Sequence, residues 1–151
     1  MQRDSAGLEV LSREDSLALL GSVPVGRVVF TDRALPAVQP VNFVLYDGSI
    51  VFRTGAGSKL AAATRQAIVA FQADSFDESS ETGWSVTAVG PSRVVEDGDE
   101  LARLGTLPLH PWVSEDREYF VRIELAQLTG RRLARAGKPV EKGTAAAQPR
   151  G

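Results

Sequence analysis

The chain has 151 residues, 43% of them hydrophobic, which is enough apolar material for the core of one globular domain. It has no cysteine, which excludes disulfides, thiolate metal sites and cysteine nucleophiles. The formal net charge is −2, and because residues 134–151 carry four positive charges against one negative, the residues before them hold −5, which argues against a folded nucleic-acid surface. No apolar run reaches the roughly 18 residues of a membrane span and the first residues lack a secretory pattern, so we expect a cytoplasmic protein.

The first half of the chain is typical of a short helix followed by a three-stranded meander. Residues 1–10 are expected to be flexible, and Ser12-Arg13-Glu14-Asp15 resembles a capping box that opens a helix through Leu20. Asp47-Gly48 is a two-residue hairpin signal, because both central residues of a type I′ turn need positive φ. The predicted strands, rich in Val and Phe, are Val25–Thr31, Ala37–Tyr46 and Ser49–Thr54, with 32–36 between the first two.

The second half predicts further strands with short helices between them. A short alanine-rich helix spans about Ser58 to Arg65, and another is capped by Asp97 or Asp99 and ends at Leu104. Residues 74–83 are polar and predict a solvated connection, while residues 134–151 have too little apolar surface to order and are expected to be disordered. The predicted strands are Ala67–Ala73, Trp84–Val95 with a bulge or bend at Gly90-Pro91, Tyr119–Leu125 and Leu128–Leu133.

These elements predict one mainly β domain over residues 11–133. Six or seven antiparallel strands with short helices close most naturally as a small β-barrel. The strands Val25–Phe30 and Val86–Val89 are apolar on both faces, and a lone small barrel has nowhere to bury the second face. We therefore expect a homodimer.

The stretch after the hairpin at Asp47-Gly48 gathers residues that suit a phosphate group. Gly55 and Gly57 let the backbone leave the strand sharply, and Ser58 can cap a helix whose unpaired N–H groups favour an anion. Because side chains alternate along a strand, Arg53 and Thr54 point to opposite faces unless the strand twists. The alternative is that Arg53 is a solvated edge residue and Ser58 only a cap. The candidate phosphate ligands are Arg53, Thr54, Ser58 and Lys59.

Pro40 and Asn42 are unusual residues within a strand. Pro40 cannot donate to a ladder and marks an edge or bulge. Asn42 shares a face with Val38, Pro40 and Val44, where a buried amide needs partners. Together they indicate a strand whose backbone and amide face a ligand, and an edge strand with an exposed Asn42 explains them equally well.

Six segments, in order and spacing, resemble the split-barrel flavin-binding proteins related to pyridoxamine 5′-phosphate oxidase, over about Leu11 to Leu133. The resemblance implies a six-stranded antiparallel split barrel and a homodimer with FMN in two symmetric grooves between the subunits. The segments are the helix Ser12–Leu20, Pro24-Val25-Gly26-Arg27-Val28, Pro36-Ala37-Val38-Gln39-Pro40-Val41-Asn42-Phe43, Phe52-Arg53-Thr54-Gly55 through Gly57-Ser58-Lys59-Leu60, Gly83-Trp84-Ser85-Val86 and Thr129-Gly130-Arg131-Arg132.

The resemblance also implies roles for particular residues. It assigns the phosphate to the four candidates above, and places the backbone around Gln39, Val41 and Asn42 along the ribityl chain and the ring. Trp84 and Ser85 would line the ring pocket. From the partner subunit, Trp112 and Arg131 would close it, although a tryptophan in a proline-rich loop is more often a packing anchor.

The only histidine is His110, so the C-terminal Arg-x-His substrate signature of the name-giving oxidase is missing and pyridoxamine phosphate oxidation is not expected. One histidine cannot build a multi-histidine metal site, and we expect no metal centre. His110 is expected to be a surface-loop residue. The sharper alternative is a haem ligand, since some split-barrel relatives bind haem.

The resulting hypothesis is a small FMN-dependent oxidoreductase acting on an unidentified small molecule. It names no catalytic residue, because the flavin supplies the redox chemistry. One alternative is a deazaflavin-dependent reductase, whose longer acidic cofactor tail would use Arg27, Arg65 and Arg131. The other is a non-catalytic module that binds flavin or haem.

Overall fold

The computed structural model describes residues 2–110 and 117–133. In this part of the chain, three short helices accompany eight strands. The elements in order are β1 (Glu9–Val10), α1 (Arg13–Leu20), β2 (Val25–Asp32), β3 (Leu35–Tyr46), β4 (Ser49–Gly55), α2 (Lys59–Ala63), β5 (Ala67–Asp77), β6 (Thr82–Val94), α3 (Gly98–Leu104), β7 (Glu118–Glu124) and β8 (Gln127–Leu133).

Six of the strands close into an antiparallel barrel. The order along the sheet is β6-β5-β2-β3-β4-β7, and β7 pairs back onto β6 through Ser92–Ile123 and Val94–Val121. Strands β8 and β1 extend the sheet beyond β6. The barrel interior holds buried side chains from every barrel strand, among them Val28, Phe43, Ile50, Phe52, Phe71, Val86 and Ile123. The predicted six-stranded split barrel is confirmed.

The two hairpin turns of the meander are both two residues long. Asp47 and Gly48 have φ of 50° and 74°, as the sequence predicts. Between β2 and β3, however, Arg33 and Ala34 also adopt positive φ, of 51° and 67°. Both strands therefore extend to the turn, and the predicted separation over 32–36 was too long, because non-glycine residues at these positions give no turn signal.

Residues 74–83 are not a solvated connection, as predicted, but mostly a hairpin. β5 continues to Asp77 and β6 begins at Thr82, with Ser75 opposite Trp84 and Phe76 opposite Gly83. Asp77 stabilises the turn because its Oδ1 accepts hydrogen bonds from the N–H and hydroxyl of Ser79, which lowers the pKa of the Asp77 carboxyl. Cross-strand pairing thus overrides the polar composition.

β6 runs through Gly90 and Pro91 without a break. At this point its second neighbour changes from β8, paired up to Val89, to β7, paired from Ser92. A Cβ on Gly90 would lie 1.9 Å from the carbonyl oxygen of Glu124. Glycine is required there by the close approach of the end of β7.

The helices lie at the ends and on the outside of the barrel. Ser12 caps α1, accepting from the Asp15 N–H at 3.0 Å, and Leu20 is fully buried. On the outside, α3 and the residues after it form a second apolar cluster over β4, built from Val51, Val95, Leu104 and Leu109. Among the described residues, no helix is long and apolar enough to cross a membrane.

Residues 2–10 lie against β8. β1 pairs with β8 through Glu9–Arg132 and Val10–Arg131, and Asp4 Oδ1 accepts from the N–H groups of Ala6 and Leu8. The domain limits, including a flexible segment 1–10, stay a prediction. The predicted disordered tail, 134–151, lies outside the described residues.

Candidate functional site

The barrel has an opening between β3 and β4. The two strands pair only over Phe43–Tyr46 and Ser49–Phe52, after which β4 continues to Gly55 on β7 and β3 continues on β2. The stretch Leu35–Asn42 therefore has β2 on one side and no described strand on the other. This unpaired side of residues 35–42 is called the open edge below.

The register fixes which backbone groups face the open edge. The Phe43 N–H donates to the Pro24 carbonyl at 3.1 Å. In an antiparallel ladder the backbone N–H and C=O of Phe43, and of every second residue before it, therefore point towards β2. Gln39 and Val41 are in that set. Their neighbours point the opposite way, so the residues whose backbone faces the open edge are Pro36, Val38, Pro40 and Asn42.

Two hydroxyl groups lie at the end of β4, where the chain turns into α2. The Oγ atoms of Thr54 and Ser58 are 2.9 Å apart, and Ser58 also accepts from the Ala61 N–H as the cap of α2. Thr54 is 5% exposed, whereas Lys59 is exposed and its Nζ lies 3.7 Å from Asp32 Oδ2. The hydroxyl pair and the ammonium group are thus on neighbouring residues of one turn.

Arg53 lies on the other face of β4. Its Nη1 donates to the Leu109 carbonyl at 3.1 Å, its Nη2 pairs with Glu118, and the guanidinium lies over the Phe120 ring at 5.3 Å. Its Nε is buried with no partner in the described chain. Of the four predicted phosphate ligands, the structure brings Thr54 and Ser58 into contact and turns Arg53 towards β7 and the residues after α3.

Asn42 is held by the same segment that holds Arg53. Its Nδ2 donates to the carbonyl of His110 at 2.9 Å. Val41 is buried in the core at 3% exposure, and the side chain of Gln39 is half-buried on the same inward face, opposite Val28. Of the three residues predicted to line the ribityl chain and ring, Asn42 alone has its backbone on the open edge, and its side chain binds the segment after α3.

The remaining predicted site residues lie on β6 and β8. Trp84 packs against the core and lines a cleft of about 230 Å³ with Ser75 and Arg132. Ser85 lies opposite Arg131, whose Nε donates to Asp4 Oδ2 at 2.8 Å. The hydrogen bonds from the Leu8 backbone and from Arg131 lower the pKa of the Asp4 carboxyl. Trp112 lies outside the described residues.

A charged cluster lies at the opposite end of β4 from α2. Glu100 on α3 accepts from both Nη atoms of Arg93, at 3.0 and 2.6 Å, and from Nη1 of Arg122 at 2.7 Å. These bonds, that of Arg93 first, lower the pKa of Glu100 to about 2. Arg93 and Arg122 also line a cleft of about 450 Å³ with Ser49 and Glu124. Arg93 and Arg122 both pair with Glu100, so the cluster fixes α3 to the barrel.

Sequence reasoning missed the acidic partners of the candidate cations. Glu118 follows Arg53 by 65 residues and meets it only because β7 pairs with β4. The sequence predicts a connection at Asp32, but this residue ends β2 beside Lys59. Neither has a local sequence signal, because both contacts depend on strand order.

Known proteins similar to this chain share both its sequence and its fold. Residues 12–132 match the family described as pyridoxamine 5′-phosphate oxidase. The uncharacterized protein Rv0080 of Mycobacterium tuberculosis is 41% identical over 128 residues, covering 82% of this chain and 84% of its own length.

Two solved structures are similar over nearly their whole length. The FAD binding protein from Mycobacterium smegmatis is 37% identical with a TM-score of 0.71, over 83% of this chain and 97% of that one. A conserved protein of unknown function from Corynebacterium diphtheriae is 35% identical with a TM-score of 0.69, over 82% and 96%.

Proposed function

The chain belongs to the pyridoxamine 5′-phosphate oxidase family, and from that premise we propose that it binds a flavin nucleotide in the opening between β3 and β4. The observation that carries the proposal is the open edge of β3 next to a turn with two hydroxyls and an ammonium group. Similarity to a FAD binding protein at 37% identity supports a flavin as the ligand.

The groups around the opening fit the parts of a flavin nucleotide. Thr54, Ser58 and Lys59 supply hydroxyl and ammonium donors, which suit a phosphate. The open edge supplies carbonyl acceptors and N–H donors for the ribityl hydroxyls and the ring. Arg53 already donates to the Leu109 carbonyl and to Glu118, so we assign it to holding the residues after α3.

We propose that the protein is a small oxidoreductase acting on a small molecule. The bound flavin would supply the redox step, and the chain's own residues would bind and orient it and restrict water. The backbone of β3 is rigid because it is hydrogen-bonded to β2 along the whole open edge. No residue in the described part is assigned as a catalytic acid or base.

We further propose a homodimer with the flavin at its interface. Val38, Val29, Ala70 and Val89 lie opposite one another across β3, β2, β5 and β6, on the outer face of the barrel. Ile68 lies beside this row and is 68% exposed, and Val38 is 60% exposed. An apolar row across four strands on the solvent side is what a stable dimer would cover.

FMN and FAD are the two candidate nucleotides. The candidate phosphate ligands at α2 favour FMN. Similarity to the FAD binding protein from M. smegmatis favours FAD. A deazaflavin with a longer acidic tail is the third candidate, and each cation proposed for it has an acidic partner, as Lys59 does. The pairs are Arg27–Asp74 at 3.7 Å, Arg65–Glu96 at 3.3 Å and Arg131–Asp4 at 2.8 Å.

The decisive experiment is the absorption spectrum of the purified protein, followed by titration with FMN, FAD and riboflavin. Flavin, deazaflavin and haem have distinct bands, so the spectrum separates the main hypothesis from the deazaflavin and haem alternatives. We expect a flavin spectrum and tighter binding of FMN or FAD than of riboflavin. A protein that binds none of the three ligands contradicts the proposal, and a protein that binds flavin but catalyses no electron transfer between a donor and an acceptor is a binding module.

A further inference from the structure

Apart from its two prolines, the open edge of β3 has the composition of a strand that pairs readily with another strand. Leu35–Asn42 contains no charged residue, and Leu35 and Val38 are 68% and 60% exposed. An exposed, uncharged, apolar edge strand normally adds a further strand, which leads to aggregation. Proteins usually block such edges with lysine, bulges or proline.

Two prolines occupy the positions that would donate from this edge. Because Phe43 donates to Pro24 on the β2 side, the residues whose N–H would face the open edge are Pro36, Val38, Pro40 and Asn42. Proline has no N–H. Half of the donors that an incoming strand needs are therefore missing, and the two that remain, Val38 and Asn42, are four residues or about 13 Å apart.

Proline lacks the backbone N–H but keeps its carbonyl, so Pro36 and Pro40 remove no acceptor from the edge. Beyond its pairing with β4, the edge thus presents more acceptors than donors, which makes it a poor template for a strand but suits a ligand rich in hydroxyl donors. The ribityl chain of a flavin is such a ligand. Asn42 adds a side-chain amide, which here donates to the carbonyl of His110.

We propose that Pro36 and Pro40 keep the open edge of β3 unfit for strand addition, and so reserve it for the cofactor. This inference rests on the proposed flavin site for the identity of the occupant, and on the ladder register alone for the guarding role. Pro36 and Pro40 are thus specificity-determining residues for what the opening accepts.

The test is the double variant Pro36→Ala/Pro40→Ala, which restores both N–H groups. Without flavin, we expect it to form species larger than the wild type, with a fraction that rises several-fold with protein concentration in light scattering. The matched control is Pro91→Ala on β6, which should keep the wild-type size because Pro91 does not face the open edge. A double variant that stays at the wild-type size at all concentrations overturns the guarding role.

A third substitution separates strand addition from simple unfolding. Leu35→Lys in the double-variant background places a charge on the edge and should restore the wild-type size, since Leu35 is exposed and its replacement costs little. Persistent assembly in this triple variant, or loss of the β-sheet circular dichroism signal in the double variant, overturns the proposal.

Saturating flavin should also return the double variant to the wild-type size, because the cofactor and an incoming strand would compete for the same edge. If the wild type binds flavin but the double variant still assembles in saturating flavin, the edge is not reserved for the cofactor. A wild type that binds no flavin instead contradicts the proposed function, whereas the size measurements without flavin still test the prolines.

Discussion

Arg122 of β7 donates from Nη1 to Glu100 of α3 at 2.7 Å, and this bond fastens a helix to the outside of the barrel. The side chains of Arg122 and Glu100 are only 12% and 10% exposed. Arg122 also donates from Nε to the Ser49 hydroxyl at 2.9 Å. The position of α3 matters for the candidate site, because the residues that follow it hold Arg53 and Asn42.

The first prediction concerns acid. The pKa of Glu100 is lowered from 4.5 to about 2, so its contribution to stability is complete above about pH 4.5 and is lost as the pH falls towards 2. Glu100→Gln should lower the free energy of unfolding at pH 7 by about 3 kcal/mol, and the difference from wild type should shrink in that acid range.

Glu96→Gln is the matched control for Glu100. Glu96 also pairs with an arginine, Arg65, but its side chain is 77% exposed, so its loss should cost under about 1 kcal/mol. Urea unfolding at several pH values measures both variants. Equal effects of the two substitutions would contradict the role given to the Glu100 cluster.

The second prediction concerns the phosphate. Lys59→Ala should weaken FMN binding about ten- to a hundredfold, because a charge-assisted hydrogen bond contributes about 1.5 to 3 kcal/mol. Binding of riboflavin, which lacks the phosphate, should be unchanged. Lys59→Arg should keep most of the affinity. Fluorescence titration with both ligands checks this, and a parallel loss of riboflavin binding would place Lys59 away from the phosphate.

The third prediction distinguishes the role of Arg53 from that of Lys59. Arg53→Ala leaves the carboxylate of Glu118, which is 14% exposed, without its partner, and should lower the free energy of unfolding by about 2 kcal/mol. The additional substitution Glu118→Gln should recover part of this loss. Because Arg53 holds the carbonyl of Leu109, FMN and riboflavin binding should weaken alike. If only FMN binding weakens, Arg53 is a phosphate ligand, as the sequence first indicated.

Local signals predicted the parts of this fold that depend on neighbouring residues. The cap at Ser12, the turn at Asp47-Gly48 and the cap at Ser58 all follow from one or two side chains and their backbone. The hairpin over 74–83 did not follow, since its stability comes from pairing with β6 and not from its own polar sequence. Propensity describes a segment, whereas strand pairing depends on its neighbours.

In the candidate site, too, only the features that depend on neighbouring residues could be predicted from the sequence. The sequence placed Thr54 and Ser58 at one turn and Pro40 on an edge, and the structure places both features at the opening between β3 and β4. It could not reveal that Arg53 meets Glu118, because the pairing of β4 with β7 brings together residues far apart in the chain.

The fourth prediction concerns the dimer. Ile68→Glu introduces a charge beside the apolar row of β3, β2, β5 and β6, and should shift the protein from dimer to monomer in light scattering. Leu35→Glu is the control, because Leu35 is equally exposed, at 68%, but lies at the turn between β2 and β3. A wild type that is monomeric at micromolar concentration would contradict the proposed dimer, and dissociation by Leu35→Glu alone would move the interface to the turn.

The fifth prediction concerns Gly90, where β6 changes its neighbour from β8 to β7. A methyl group there would lie 1.9 Å from the carbonyl oxygen of Glu124 and 2.9 Å from its carbon, and both atoms belong to backbone that cannot rotate away. Gly90→Ala should therefore lower the free energy of unfolding by about 3 kcal/mol. Gly57→Ala is the control, since a Cβ on Gly57 meets no atom within 4 Å, and it should change stability by less than about 1 kcal/mol. Thermal unfolding of both variants measures the difference. Similar unfolding midpoints for the two variants would show that a methyl group at position 90 does not clash with the end of β7.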